Sequence, residues 1–323
     1  MTPYIILIGY TNIMLEQVQP GLYLSRGKQS PVLLPQVIGF DLDWTIVRTI
    51  RARFPKDAND WAFLPNRISI LKAYQDKGYI LAIFTNQGYT GAKSIMALNR
   101  INNIITALEQ QGIVPWVFVA TLHDVYRKPN IGMWNVLEQY YPGINTKESF
   151  YVGDAAGRPQ DHSTDDIMFA QNVGISFFTP EQIFPNNQIT IPDTQTMFIF
   201  VGMSGSGKTT YFEQNLAQRG WVHANQDTLK TADKVLRTVR DTLASGKSVA
   251  VDATNPTPDK RNEYIVLAAQ YRVPTLIVYF VRNGYEWNKL RPKPVPDIAY
   301  NIYFKNLVEP TLELDRVPVV ELF

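Results

Sequence analysis

The chain has 323 residues, 45% of them hydrophobic and 19% charged, with 31 basic against 29 acidic side chains and a formal net charge of +2. These are globular proportions, and they argue against a disordered chain, a collagenous one, or a strongly basic coat for long nucleic acid. There is no cysteine, which removes disulfides, thiolate metal sites and cysteine nucleophiles. No apolar run approaches the roughly 18–20 residues of a membrane span, and MTPYIILIGY lacks the basic start and small-residue cleavage site of a secretory leader. The expectation is an intracellular protein of two ordinary-sized domains, with nuclear or cytoplasmic residence left open.

Residues 1–36 show alternating apolar positions (Tyr4, Ile6, Ile8) and turn signals at Gln19–Gly21 and Arg26–Pro31, which predict a small β-hairpin layer. From there, strand-like apolar runs at Val37–Phe40, Ile80–Phe84, Trp116–Ala120 and Phe150–Val152 alternate with helical spacing in segments such as Arg67–Lys77 and Ser94–Gln110. A break follows at Thr179–Thr196, rich in Pro, Asn, Gln and Thr. The alternation then restarts with strands at Met197–Val201, Ser248–Val251 and Thr275–Val281, and helices over Lys208–Arg219, Lys230–Ser245 and Asp259–Tyr271. This pattern predicts an α/β protein of two doubly wound parallel-sheet domains, 1–190 and 191–323.

In such sheets ligands bind at the carboxyl ends of strands. Asp41 follows the Val37–Phe40 strand directly, with Asp43 two residues on. A carboxylate can attack phosphorus if a cation offsets the charge and a neighbouring acid protonates the leaving oxygen, the part read for Asp43. Thr85 ends its strand as a donor to phosphate, Lys128 in YRKP supplies positive charge, and Asp154 in YVGDAAG adds a carboxylate after a third strand. Mg²⁺ held by Asp41, Asp43 and Asp154 would bridge enzyme and phosphate, with Asp165 and Asp166 orienting Lys128 or the metal shell.

The second series opens with VGMSGSGKTT, the G-x-x-x-x-G-K-[ST] phosphate cradle between strand and helix. Gly202, Ser204, Gly205, Ser206, Gly207, Lys208, Thr209 and Thr210 are the expected ATP contacts, Lys208 neutralising phosphate and Thr209 ligating Mg²⁺. Asp227 is placed to take a proton from an acceptor hydroxyl, though an aspartate there, taken alone, would more often cap the helix starting near Leu229. Asp252 falls where such proteins put an aspartate on the Mg²⁺ water shell. Thr254 and Asn255 are candidates to position substrate, and Arg261 and Arg291 to clamp phosphates.

GFDLD, IFTNQ, YRKPNIGMW and YVGDAAGRPQD resemble the haloacid dehalogenase superfamily, and within it the 3′-phosphatase domain of the polynucleotide kinase/phosphatase family, over roughly residues 37–180. Asn86 and Arg158, inside those motifs, are expected as phosphate or substrate contacts. VGMSGSGKTT, VHANQDTL and VDATNPTPDKR resemble the same family's 5′-kinase domain over about 196–323, which implies Asp227 as the general base. Three departures stand out. Trp44 occupies the glycine position of DxDGT, where it would narrow the pocket or stack on a base or sugar. Glu263 replaces a second arginine after the TNP turn, and RPKPVP at Arg291–Pro296 shortens the lid.

The resemblance implies a monomeric end-healing enzyme for DNA or RNA that uses ATP and Mg²⁺ and hands its product to a ligase. It would be a compact form without a forkhead-associated module. Two other readings stay open on the residues alone: a strand-end-binding scaffold with degenerate sites, and a small-molecule phosphatase fused to a metabolite kinase.

Overall fold

The computed structural model describes residues 15–27 and 34–323. The alternation at Tyr4, Ile6 and Ile8 and most of the turn at Arg26–Pro31 lie outside them. The described part of this segment is an antiparallel hairpin, β1 (Glu16–Gln19) and β2 (Leu22–Ser25), turning at Gly21 with φ 79°.

The first series comprises β3 (Val37–Phe40), β4 (Val47–Arg48), β5 (Ala62–Phe63), α1 (Arg67–Asp76), β6 (Ile80–Asn86), α2 (Ala92–Gln110), β7 (Trp116–Ala120), α3 (Gly132–Tyr140), β8 (Phe150–Val152), α4 (Asp165–Val173), β9 (Ser176–Phe178) and α5 (Pro180–Ile183). Its main sheet has the order β1-β2-β7-β6-β3-β8-β9, with the hairpin running antiparallel to β7 and the rest parallel. β3 and β7 are buried along their whole length, because helices cover both faces. Leu71 of α1 and Ile101, Ile104 and Leu108 of α2 pack on one face. Met133, Trp134 and Leu137 of α3 and Phe169 of α4 pack on the other. The chain winds outward from β3 to β6 and β7, then returns to β8 on the opposite side of β3. That reversal opens a crevice at the carboxyl end of β3, where Asp41 stands.

The second series comprises β10 (Met197–Val201), α6 (Lys208–Asn215), a 3₁₀ turn at Ala217–Arg219, β11 (Val222–Asn225), α7 (Gln226–Leu229), α8 (Ala232–Ala244), β12 (Val249–Asp252), α9 (Pro258–Gln270), β13 (Thr275–Phe280), α10 (Gly284–Asn288), α11 (Asp297–Asn306), α12 (Leu312–Asp315) and β14 (Val319–Leu322). Its sheet is parallel, in the order β11-β12-β10-β13-β14. Two expected helices are shorter than their spacing implied. The first α-helix gives way to the 3₁₀ turn before Gly220, and the helix expected from Lys230 is split there. Lys230 adopts φ 73°, and Thr231 restarts the chain by accepting the Lys234 N–H.

The two halves are packed together. Phe184 sits in the first core and Ile189 and Ile191 pack into the second, while Leu64 of the first half joins the core of the second. The Arg67 guanidinium lies between the rings of Phe184 and Phe323, at 4.4 and 4.2 Å from their centroids. Arg48 bonds Glu309 at 2.6 Å, and Tyr279 of β13 donates to the same carboxylate at 2.8 Å.

Candidate active sites

At the end of β3 the Asp41 amide donates to Val152 O of β8 at 2.9 Å, which fixes the carboxylate over the crevice. The Lys128 ammonium, buried, donates to Asp41 Oδ1 at 2.7 Å, Asp166 Oδ1 at 2.7 Å and the Tyr151 hydroxyl at 2.8 Å. Burial works against its charge, yet Asp166 and Asp41 hold Lys128 above the usual lysine value. One lysine does not balance the acids around it. Burial, opposed by Lys128 and aided by Asp166, pushes Asp41 up to about 7. Burial, Asp41 and Asp166 raise Asp154 well above the carboxylate range. Carboxylate oxygens of Asp41, Asp154 and Asp166 lie within 4.8 Å of one another. Such under-compensated negative charge suits a hard divalent cation.

Asp43 stands apart from that group. Its Oδ1 accepts from Arg100 Nη2 at 2.7 Å and its Oδ2 from Gln87 Nε2 at 3.0 Å. The side-chain cation cluster therefore takes Asp166 in the place expected for Asp43. Trp44, next in sequence, adopts φ 61°, the left-handed region that suits glycine. Its side chain packs against the cluster of Met203, Tyr285, Tyr300, Tyr303 and Phe304 in the second half. The half-buried indole is thereby engaged with the second half.

Thr85 is buried on β6, with its hydroxyl accepting from Gln87 at 2.9 Å. Asn86 is not aimed at phosphate: its amide bonds the main chain of Lys128 in both directions, at 3.0 Å each. Arg158 is likewise engaged, by Asp161 at 2.9 Å and Glu181 at 3.3 Å. It braces the loop after Asp154, whose carbonyl it also reaches at 3.3 Å.

The glycine turn between β10 and α6 borders a cavity of about 1070 Å³. Gly205, at φ 80°, packs so closely on Gly284 that a Cβ would stand 2.5 Å from its carbonyl oxygen. Lys208 Nζ donates to the carbonyls of Gly202 and Met203 at 2.8 Å each, and burial lowers its pKa to about 8. Asp252 accepts from Thr209 at 2.7 Å, Asn225 at 2.8 Å and His223 Nε2 at 2.9 Å. Burial opposes its charge, but these partners and Lys208 hold it below the usual carboxylate value.

Asp227 caps nothing. Asn225 accepts the Thr228 N–H to start α7, and Thr231 starts α8. The Asp227 carboxylate is left 86% exposed at the cavity, 3.7 Å from Arg291 Nη2. Arg291 belongs to the lid turn after α10, whose base Asn288 staples by bonding the Val295 main chain twice at 2.8 Å.

Relatives match this chain over most of its length. A family model described as "Polynucleotide kinase 3 phosphatase" matches residues 36–184. The "Bifunctional polynucleotide phosphatase/kinase" of Schizosaccharomyces pombe is 32% identical over 312 residues, 85% of this chain and 76% of that protein. The chain belongs to the bifunctional polynucleotide phosphatase/kinase family. A "Putative bifunctional polynucleotide phosphatase/kinase" of Acanthamoeba polyphaga mimivirus is 30% identical across 89% of this chain and 85% of that one. The "Polynucleotide 3'-phosphatase ZDP" of Arabidopsis thaliana is 34% identical over 46% of this chain and 24% of its own length.

For a polynucleotide phosphatase/kinase, two substrate-contact expectations fail on burial. Arg261 is fully buried, paired with Asp315 at 2.7 Å and donating to the carbonyls of Pro256 and Val308. Asn255 is buried too, bonding Phe200 O at 2.8 Å. Both hold the turn that presents Thr254 to the cavity, and neither can clamp a phosphate. Sequence reading missed His223, Asn225, Arg100 and Tyr300. The Tyr300 hydroxyl ties the lid helix α11 to the cradle through Ser204 O and Gly284 O, at 3.1 Å each. Only the HAN run before Asp227, at a strand's carboxyl end, offered a signal for the first two.

Proposed function

We propose that this chain removes 3′-phosphates from broken strands at its first site and phosphorylates 5′-hydroxyls with ATP at its second. The observation that carries the reading is a buried aspartate–lysine cluster and a phosphate cradle faced by the exposed carboxylate of Asp227, each at a sheet switch point of one packed molecule.

At the first site Asp41 attacks phosphorus while Asp43 gives its proton to the departing 3′-oxygen. Water then cleaves the aspartyl phosphate and returns a proton to Asp43, so the phosphate leaves as product. Lys128 meets the developing charge on the phosphoryl oxygens. Asp41 and Asp154, with Asp166 behind them, would hold Mg²⁺, which when bound neutralises carboxylate and phosphate charge.

Beside this crevice a cleft of about 500 Å³ is lined by Phe54, Lys56, Tyr89, Lys93 and Met96. Aromatic faces between lysines suit a strand end better than a small phosphate ester. At the second site the cradle amides and Lys208 hold the triphosphate, Thr209 and Asp252 would hold its Mg²⁺, and Asp227 takes the 5′-hydroxyl proton. Arg291, across the cavity, is placed to bind phosphate when the lid turn closes.

The test is an oligonucleotide bearing 3′-phosphate and 5′-hydroxyl ends, with ATP and Mg²⁺, against nucleoside 3′-phosphates and nucleosides. Faster turnover of the oligonucleotide at both ends supports the reading. Equal or better turnover of the nucleosides, or binding without turnover, overturns it. Among the described residues no helix is long and apolar enough to cross a membrane, and we place the activity inside the cell, in nucleus or cytoplasm.

A further inference from the structure

Arg100 has no part in the reading of the site so far. It lies in the middle of α2 with its side chain 1% exposed, and its one hydrogen bond among the described residues is the 2.7 Å contact to Asp43 Oδ1. Its Nε, also buried, has no partner. A buried guanidinium is expensive to desolvate, and a methionine or leucine would fill the same space at lower cost. The site therefore keeps a charge in the core whose single visible consequence is to grip Asp43.

Gln87, at the end of β6, grips the other carboxylate oxygen and is itself anchored on Thr85. Two donors from different elements, one on each oxygen, fix both the position and the torsion of the Asp43 carboxylate. The side chain nonetheless remains 37% exposed.

We infer that Arg100, with Gln87, is a positioning residue that holds the Asp43 carboxyl group in line with the departing sugar oxygen. The inference rests on the proposed acid role of Asp43. A sugar alkoxide cannot leave without a proton, so the first half-reaction depends on an acid within hydrogen-bond reach. In that step the P–O3′ bond breaks as the Asp41–P bond forms, and the proton passes from Asp43 to O3′. A leaving group that departs as a stable anion does not need the transfer, and so does not need Arg100.

The test compares Arg100→Met, Arg100→Lys and Gln87→Leu on two oligonucleotides under single turnover. One ends in an ordinary 3′-phosphate. The other ends in a 3′-S-phosphorothiolate, whose bridging sulfur leaves as a thiolate without protonation. Arg100→Met should slow release from the oxygen-linked end by roughly a hundredfold, the low end of acid–base contributions, and from the sulfur-linked end by less than about threefold. Arg100→Lys should recover part of the difference.

Kinase turnover on the same preparation reports folding. If Arg100→Met loses it, the comparison passes to Arg100→Lys and Gln87→Leu, which should show a smaller selective loss. Equal losses on both substrates, or none on either, overturn the inference. If the unmodified enzyme releases neither phosphate, the phosphatase reading itself fails, a different and separable result.

Discussion

Arg48 and Glu309, 261 positions apart in sequence, form a 2.6 Å ion pair across the two halves, with the arginine side chain only 5% exposed. Arg48 lies five residues beyond Asp43 on the same excursion of chain, and Glu309 is also held by Tyr279 of the second sheet. The loop that presents Asp43, the proposed acid of one site, is thus tied to the framework of the other. This arrangement and the neighbouring contact of Trp44 lead to the first expectation.

Trp44→Gly removes a half-buried indole from its packing against Met203 and the Tyr285–Tyr300 pair, a loss of about 1–2 kcal/mol. It also relieves a left-handed backbone that costs a non-glycine residue about 1–2 kcal/mol. The two nearly cancel. Overall stability should therefore change little, while calorimetry, expected to show one transition for the unmodified protein because the halves are packed together, should show two as they loosen. A large fall in stability with one retained transition would contradict this.

Arg261→Ala should act on stability and not on substrate binding. It strands Asp315 in a buried site and removes the donor to Pro256 and Val308, a loss of about 3–5 kcal/mol. Thermal melting should fall sharply, while KM for ATP in the remaining folded fraction stays near the unmodified value. A raised KM at unchanged melting temperature would return Arg261 to the substrate.

The Lys208 ammonium of the free protein is lowered to about 8 by burial, and phosphate binding favours its charged form. Binding is therefore coupled to proton uptake once the pH exceeds that value. KM for ATP should be flat below pH 8 and rise above it, by up to about tenfold per pH unit. Fluorescent-nucleotide titrations across pH 7–9.5 measure this, and affinity unchanged over the range would show that the two carbonyl acceptors keep Lys208 charged.

Asp41→Asn removes the proposed nucleophile and should abolish 3′-phosphate release while 5′-phosphorylation persists. Lys208→Ala should do the reverse. End-labelled oligonucleotides resolved on a gel report both activities together, and loss of both from either change would reject separate sites.

Much of this was legible in the linear sequence, for identifiable reasons. β3, β6, β7, β10 and β13 read as contiguous apolar runs because helices bury both sheet faces. β9, β11 and β14 are short and lie at or near sheet edges, so Ser176, His223 and Glu321 interrupt them. Asp41, Asp154 and the glycine cradle follow strand ends in motifs that local chain geometry dictates, and Lys128 lies in the loop after β7. Asp166, read from the loop after Asp154 as a partner for Lys128 or the metal shell, does pair with Lys128 at 2.7 Å, whereas Arg100 reaches the first site only through tertiary packing, which no spacing announces. Asn86, Arg158, Asn255 and Arg261 misled because a polar side chain beside a motif looks the same whether it faces ligand or ties down the loop that does.

The left-handed turn at Trp44 also bears on modularity. A glycine there would leave the loop after Asp41 at ease in the left-handed turn whatever packed beside it. With tryptophan, that loop relies on a greasy socket furnished by the neighbouring fold. Cutting the chain near residue 190 would bare the indole beside the reaction centre, leaving a fragment prone to self-association and weaker than its isolated sequence would suggest.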